Sequence, residues 1–351
     1  MTTRIFQFSV SSSSLPAWVP STVGQWVQIS TSNTISSVQP SPTPPGNTGP
    51  SSVTDTWCCI ASSASGDVYM WGGGHADYSG NEVYRLRLNQ ATPVYQRLST
   101  PTASVTTNVK YYGDGRPSAR HTYQSFWFAG GKLKSLGGQY VYGNASVSPS
   151  NTDIFDPDTG NWTTQVNNNG SGWYACGNHA TGVIYVAGPS GNYSSTTYGR
   201  LDASNVWTTL GSGSSSGTAF GGSAFDSARS RIYRIGDYDG NKPVVYWTVG
   251  GSETNPALSG ANASTFDNFG SYAGVDYCVG SDCIYLKDPG ANRTVYRLNC
   301  ATLACDTLTT SGATPSSAMN GVNGRFKYVP DLKGFIYIPS WGVAYFLRTH
   351  A

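Results

Sequence analysis

The chain has 351 residues, 42 of them glycine and 23 tyrosine, with only 11% charged residues and a net charge of +2. So near-neutral a balance supplies no basic stripe to neutralise phosphates, which excludes nucleic acid as the expected partner. No apolar run approaches the roughly 20 residues that span a bilayer, so no membrane segment is expected, and 13% aromatic residues bury too much apolar surface for a disordered chain.

Residues 1–16, beginning MTTRIFQFSVSSSS, hold one arginine, no apolar core of signal-peptide length and no evident cleavage site, and read as a polar arm. GQWVQIS, residues 24–30, is a lone Trp-containing strand. Residues 31–55 carry SPTPPGNTGPSS and cannot be a central strand, because proline lacks the ladder donor. They read as an extended connector.

From residue 56 one pattern recurs: a small-residue opening, a strand, a turn, a strand ending near glycine, a Tyr-Arg-Leu-like strand and a tail. The copies run 56–99, about 118–165, 174–210, about 218–249 and 271–308. A sixth starts near residue 320 and supplies three strands, FKYVP, GFIYIP and VAYFL, before the chain stops at 351. Its missing fourth strand is GQWVQIS at the other end of the chain. Closing a ring by sharing one blade between the termini removes the open sheet edge. Repeats of about 40–50 residues are blade-sized. The expected fold is all-β, a six-bladed β-propeller of four-stranded antiparallel blades over residues 17–351, with seven blades the alternative if one copy is degenerate. The closing blade joins 24–30 to 320–351.

Seven cysteines include two pairs of equal spacing, Cys278 with Cys283 and Cys300 with Cys305, each flanking a four-residue turn. Both pairs are expected to be cross-strand disulfides. Convergence of all four on zinc is the rival reading, although metal knuckles more often use a two-residue spacer. Cys58, Cys59 and Cys176 read as buried thiols.

SLGGQY at 135–140, the Phe-Asp strand end before TGNWTT and the Gly-Gly that follows second strands resemble kelch, or galactose-oxidase-type, repeats across nearly the whole chain. WGGGHADYSGNEVYRL (71–86) together with GRPSARHTYQS (115–125) is similar to a kelch-like group encoded by tailed bacteriophages and bacteria. It is more distantly similar to propeller lyases that cleave uronate-containing polysaccharides. The phage resemblance implies a virion or extracellular surface role, in several copies, bound to a glycan or to a capsid or tail structural protein. A phage protein leaves by lysis and needs no export signal. The lyase resemblance implies β-elimination by a His/Tyr/Arg set.

Three of the four histidines fall at comparable places in consecutive copies: His75 after a second strand, and His121 and His179 in opening strands. They are expected to meet at one rim, with Arg120, Tyr78, Tyr123 and Asn81 nearby. Proton abstraction beside a carboxylate needs a base near neutral pKa, a neutralising cation and an acid. His121 or His75 fits the base, Arg120 the carboxylate clamp and Tyr123 or Tyr78 the acid. Trp173, Tyr140 and Tyr142, set among Gly, Asn and Ser, are candidate sugar-stacking rings. No cofactor is expected; a divalent metal on the three histidines is the alternative. Against all of these stands a plainer reading, in which GGGH is a tight turn and Arg120 and His121 knit blades together. The expected function is a non-enzymatic surface propeller, with a polysaccharide lyase as the alternative.

Overall fold

The computed structural model describes residues 14–143, 151–167, 174–187, 197–212, 221–236, 243–270 and 272–351. Each repeat folds into one antiparallel blade whose strands pair in chain order. Blade 1 is Ile60–Ser62, Asp67–Met70, Tyr84–Arg87 and Val94–Arg97; blade 2 is Phe126–Ala129, Lys132–Ser135, Asn151–Asp156 and Asn161–Asn167. Blade 3 runs from the inner strand Tyr174–Asn178 to Trp207–Ser212, and blade 4 from Gly222–Asp226 to Glu253–Thr254. Blade 5 runs from Gly274–Cys278 to Cys305–Thr307. The inner strands Gly222–Asp226 and Gly274–Cys278 are buried along their whole length, so they show no polar-out alternation, and each buries one aspartate, Asp226 and Asp276. Farther out, Tyr84 and Leu86 are buried while Arg85 and Arg87 are half-buried, the period of two that a strand requires.

Blade 6 closes the ring. Phe326–Val329, Gly334–Ser340 and Val343–Arg348 are completed by Gln25–Gln28, with Trp26 opposite Leu347 and Gln28 opposite Tyr345. Trp26 is fully buried, packs on Phe326 and Tyr337, and donates its indole N–H to the Arg293 carbonyl at 3.2 Å. Ser311–Gly312, from the link between blades 5 and 6, adds a short parallel strand outside Gln25–Trp26. The fold is thus an all-β, six-bladed propeller. Among the described residues, no helix is long and apolar enough to cross a membrane.

Two expectations need correction. The 31–55 connector is not extended throughout: it coils into 3₁₀ turns at Ile35–Val38 and Gly49–Ser51 and a helical turn at Ser52–Asp55. Coiling lets Ile35 and Val53 sink into the core shared by blades 1 and 6. The cysteine bridges are absent as well: all seven cysteines are buried free thiols. Cys278 and Cys283 do stand opposite one another in register, but the Cys278 sulfur lies 3.6 Å from His350 Nδ1, and Cys283 donates to the Ser281 carbonyl. Cys300 and Cys305 sit in the apolar core between blades 4 and 5, where they serve as small hydrophobic side chains.

Gln124 bridges the channel from blade 2 to the far blades. Its amide donates to the Gly221 and Ala273 carbonyls and accepts from Ser223 N–H, each at 3.2 Å. The channel therefore has two separate mouths: an entry mouth, where the inner strands begin, and an exit mouth, where they end.

Candidate functional site

The glycine run Gly72–Gly74 leaves the second strand of blade 1 with φ of +144°, +120° and +76°. A Cβ on Gly74 would run into the Arg120 Cα and the Tyr140 carbonyl. The missing side chain lets this loop lie flat against two segments of blade 2, which places His75 beside them. His75 N–H donates to the Tyr140 carbonyl at 2.7 Å, and Gly143 N–H donates to the His75 carbonyl at 2.7 Å. His121 pairs with Gln139 in a short antiparallel bridge, and Tyr123 N–H donates to the Trp57 carbonyl at 2.8 Å.

These contacts gather a ring of aromatic side chains at the entry mouth. The His121 ring lies 5.1 Å from Trp57, 5.6 Å from His75, 5.7 Å from Tyr140 and 5.9 Å from Tyr123, centroid to centroid. His75 meets Tyr140 edge-to-face at 5.3 Å. Trp57, His75, Tyr123 and Tyr140 all hold left-handed backbone, with φ between +46° and +55°. Each such bulky residue costs about 1–3 kcal/mol, which the surrounding hydrogen bonds must offset.

Asp77 sits between the two imidazoles. Its Oδ2 is 3.4 Å from His121 Nε2 and 4.0 Å from His75 Nδ1, and its Oδ1 accepts from the Thr48 hydroxyl at 3.2 Å. Burial alone would raise the Asp77 carboxyl, but the His121 hydrogen bond, the imidazole charges and Thr48 outweigh it and hold it below the usual carboxylate range. Burial pushes His121 down from its usual value, against the pull of Asp77. A neutral His121 beside an ionised Asp77 donates its Nε2–H to the carboxylate, an assignment made from the partner and not from a visible proton. That leaves the lone pair on Nδ1, a buried atom with no hydrogen-bond partner. Chemically this is an oriented imidazole able to accept a proton, beside the half-buried rings of His75, Tyr140 and Trp57.

The other sequence-predicted residues lie elsewhere. Arg120 does not face the cluster. Its guanidinium is wholly buried, pairs with Asp153 at 3.2 Å, donates to the Ser118 and Lys110 carbonyls and lies over Trp71. Tyr78 is a core residue whose hydroxyl shares Glu82 with Tyr84, both at 2.7 Å. Asn81 is buried and bonded to Thr102 and the Pro117 carbonyl. Tyr142 sits half-buried on the loop that carries Tyr140. Trp173 lies outside the described residues. His179 is at the exit mouth, stacked on Trp127 at 5.4 Å, because it follows its inner strand whereas His121 precedes one. The three histidines therefore do not form one ligand set. Sequence reasoning passed over Asp77 and Trp57. The spacing His-x-Asp inside GGGHAD was the available signal for the first; nothing local marked the second.

No family model matches the chain, and no curated protein does. Among solved structures it is similar to a structural genomics protein of unknown function from Bacteroides thetaiotaomicron VPI-5482, with a TM-score of 0.53 at 12% identity. The match covers 92% of this chain and 75% of that one. At that identity the likeness speaks for the fold alone, and what the chain is shown to be is a six-bladed β-propeller.

Proposed function

We propose that this propeller binds a glycan at its entry mouth. The observation that carries the reading is the convergence of four left-handed aromatic residues, Trp57, His75, Tyr123 and Tyr140, around a carboxylate held between two imidazoles. Ring faces stack on the apolar faces of sugars, while a carboxylate and imidazoles bond to hydroxyls. Backbone strain of this kind is retained where a site uses the geometry it produces. The reading goes with an extracellular or virion-surface setting, in which a low-charge chain rich in glycine and tyrosine meets a glycan or a neighbouring capsid or tail protein. The test is retention of the purified protein on a panel of immobilised polysaccharides. Tyr140→Ala is expected to weaken the retained case at least ten-fold; no retention on any glycan would end the proposal.

A second reading, β-elimination on a uronate polysaccharide, is favoured by one observation: the Asp77–His121 pair leaves an imidazole lone pair free to take a proton. Arg120 is buried against Asp153, so neutralising the substrate carboxylate needs another group. Release of unsaturated uronides, followed by ultraviolet absorbance and lost in His121→Gln, would establish the reading. Glycan retention without such release would remove it.

A further inference from the structure

At the exit mouth a cavity of about 460 Å³ opens beneath the channel, walled by the ends of inner strands and the turns that follow them. Its volume is within the range that takes a small organic ligand. Phe225, Tyr277 and Tyr328 bring three aromatic rings to the wall, with Val279 at the rim, 57% exposed. Two carboxylates line it: Asp276, buried, and Asp331, exposed. Asp276 accepts the backbone N–H groups of Tyr277 at 2.9 Å and Tyr328 at 3.0 Å and is thereby fixed in place. His179 also lines the cavity, and its Nε2 is a buried atom without a hydrogen-bond partner. The lining contains no lysine or arginine. The ammonium of Lys327 lies nearby but is fully buried over the Trp127 ring at 4.4 Å, outside the wall.

We propose that this exit-mouth cavity binds a small organic cation, a quaternary or primary amine with an apolar body, held by the rings of Phe225, Tyr277 and Tyr328 and the carboxylates of Asp276 and Asp331. Aromatic faces attract a cation through their negative quadrupole, and the attraction strengthens as water is excluded. A carboxylate at the rim adds a charge that a neutral molecule of the same shape cannot use. This site is independent of the entry mouth, from which Gln124 separates it.

The experiment is titration calorimetry of the full chain with choline and with its uncharged isostere 3,3-dimethylbutan-1-ol. Choline is expected to bind at least ten-fold more tightly than the alcohol. Asp331→Asn is expected to weaken choline at least five-fold, and Val279→Trp, which fills the rim, to abolish its binding. Both positions are exposed, and circular dichroism checks that the variants fold. Equal binding of choline and the alcohol, no binding of choline, or unchanged affinity in either folded variant would each overturn the proposal.

Discussion

The two mouths of the channel each hold an imidazole whose proton affinity is lowered by desolvation, buried His121 at one and half-buried His179 at the other, yet they are built in different ways. At the entry mouth His121 is held by Asp77 and surrounded by Trp57, His75, Tyr123 and Tyr140, residues brought in by long glycine-containing loops. At the exit mouth His179 opens the short turn after a regular strand and rests on one indole. The aromatic residues with left-handed backbone among the described residues are Trp57, His75, Tyr123, Tyr140 and Tyr272, and all belong to the entry side. Aromatic strain is concentrated where long loops can bond one another and so overdetermine an unfavourable φ. The short strand-to-strand turns of the exit side hold left-handed residues as well, at Ser230, Asp282 and Lys333, but none is aromatic, and the cavity there is a product of ring packing. Equivalent repeats thus yield one mouth shaped by backbone hydrogen bonds and another shaped by side-chain walls.

The largest effect should come from the pin that fixes the entry loops. Arg120→Met leaves Asp153 buried without its cation, with only the Tyr111 hydroxyl still donating to it, a loss of about 3–5 kcal/mol in unfolding free energy by urea titration. A loss under about 1 kcal/mol would show that the pair does not hold the entry mouth together.

Next is the response to acid, which sharpens the contrast between the imidazoles. Both have folded-state proton affinities below the unfolded value, so the unfolded chain takes up protons that the folded chain resists. Their contribution is fully present above about pH 6.5 and is lost as the pH falls toward the folded value. His121→Gln and His179→Gln should each flatten the fall in stability between about pH 7 and pH 5. Only His121→Gln should also weaken glycan retention. An identical acid profile in both variants and the parent would show that neither imidazole resists protonation.

The smallest effect is a gain. His75→Gly relieves a left-handed φ of +51° and should raise stability by about 1 kcal/mol while weakening glycan retention. Lower stability, seen as a drop in Tm, would mean that the imidazole contributes more through Asp77 than its backbone costs.

Much of the architecture was legible in residue order. The recurring strand–turn–strand units and the displaced Trp26 segment specify the ring and its closure, because strand pairing follows local patterning and a sheet edge needs a partner. The glycines before His75 mark a close backbone approach for the same reason, since only a residue without Cβ fits there. Three-dimensional packing alone settled which chemistry-bearing residues face the channel mouths. Arg120 and His121 are neighbours in sequence, but one turns into the blade interface and the other toward Asp77. His121 and His179 both fall in the opening segment of their repeats, but one precedes its inner strand and the other follows it. Sequence spacing encodes the path of the backbone, whereas the direction of a side chain depends on which distant loops press against it.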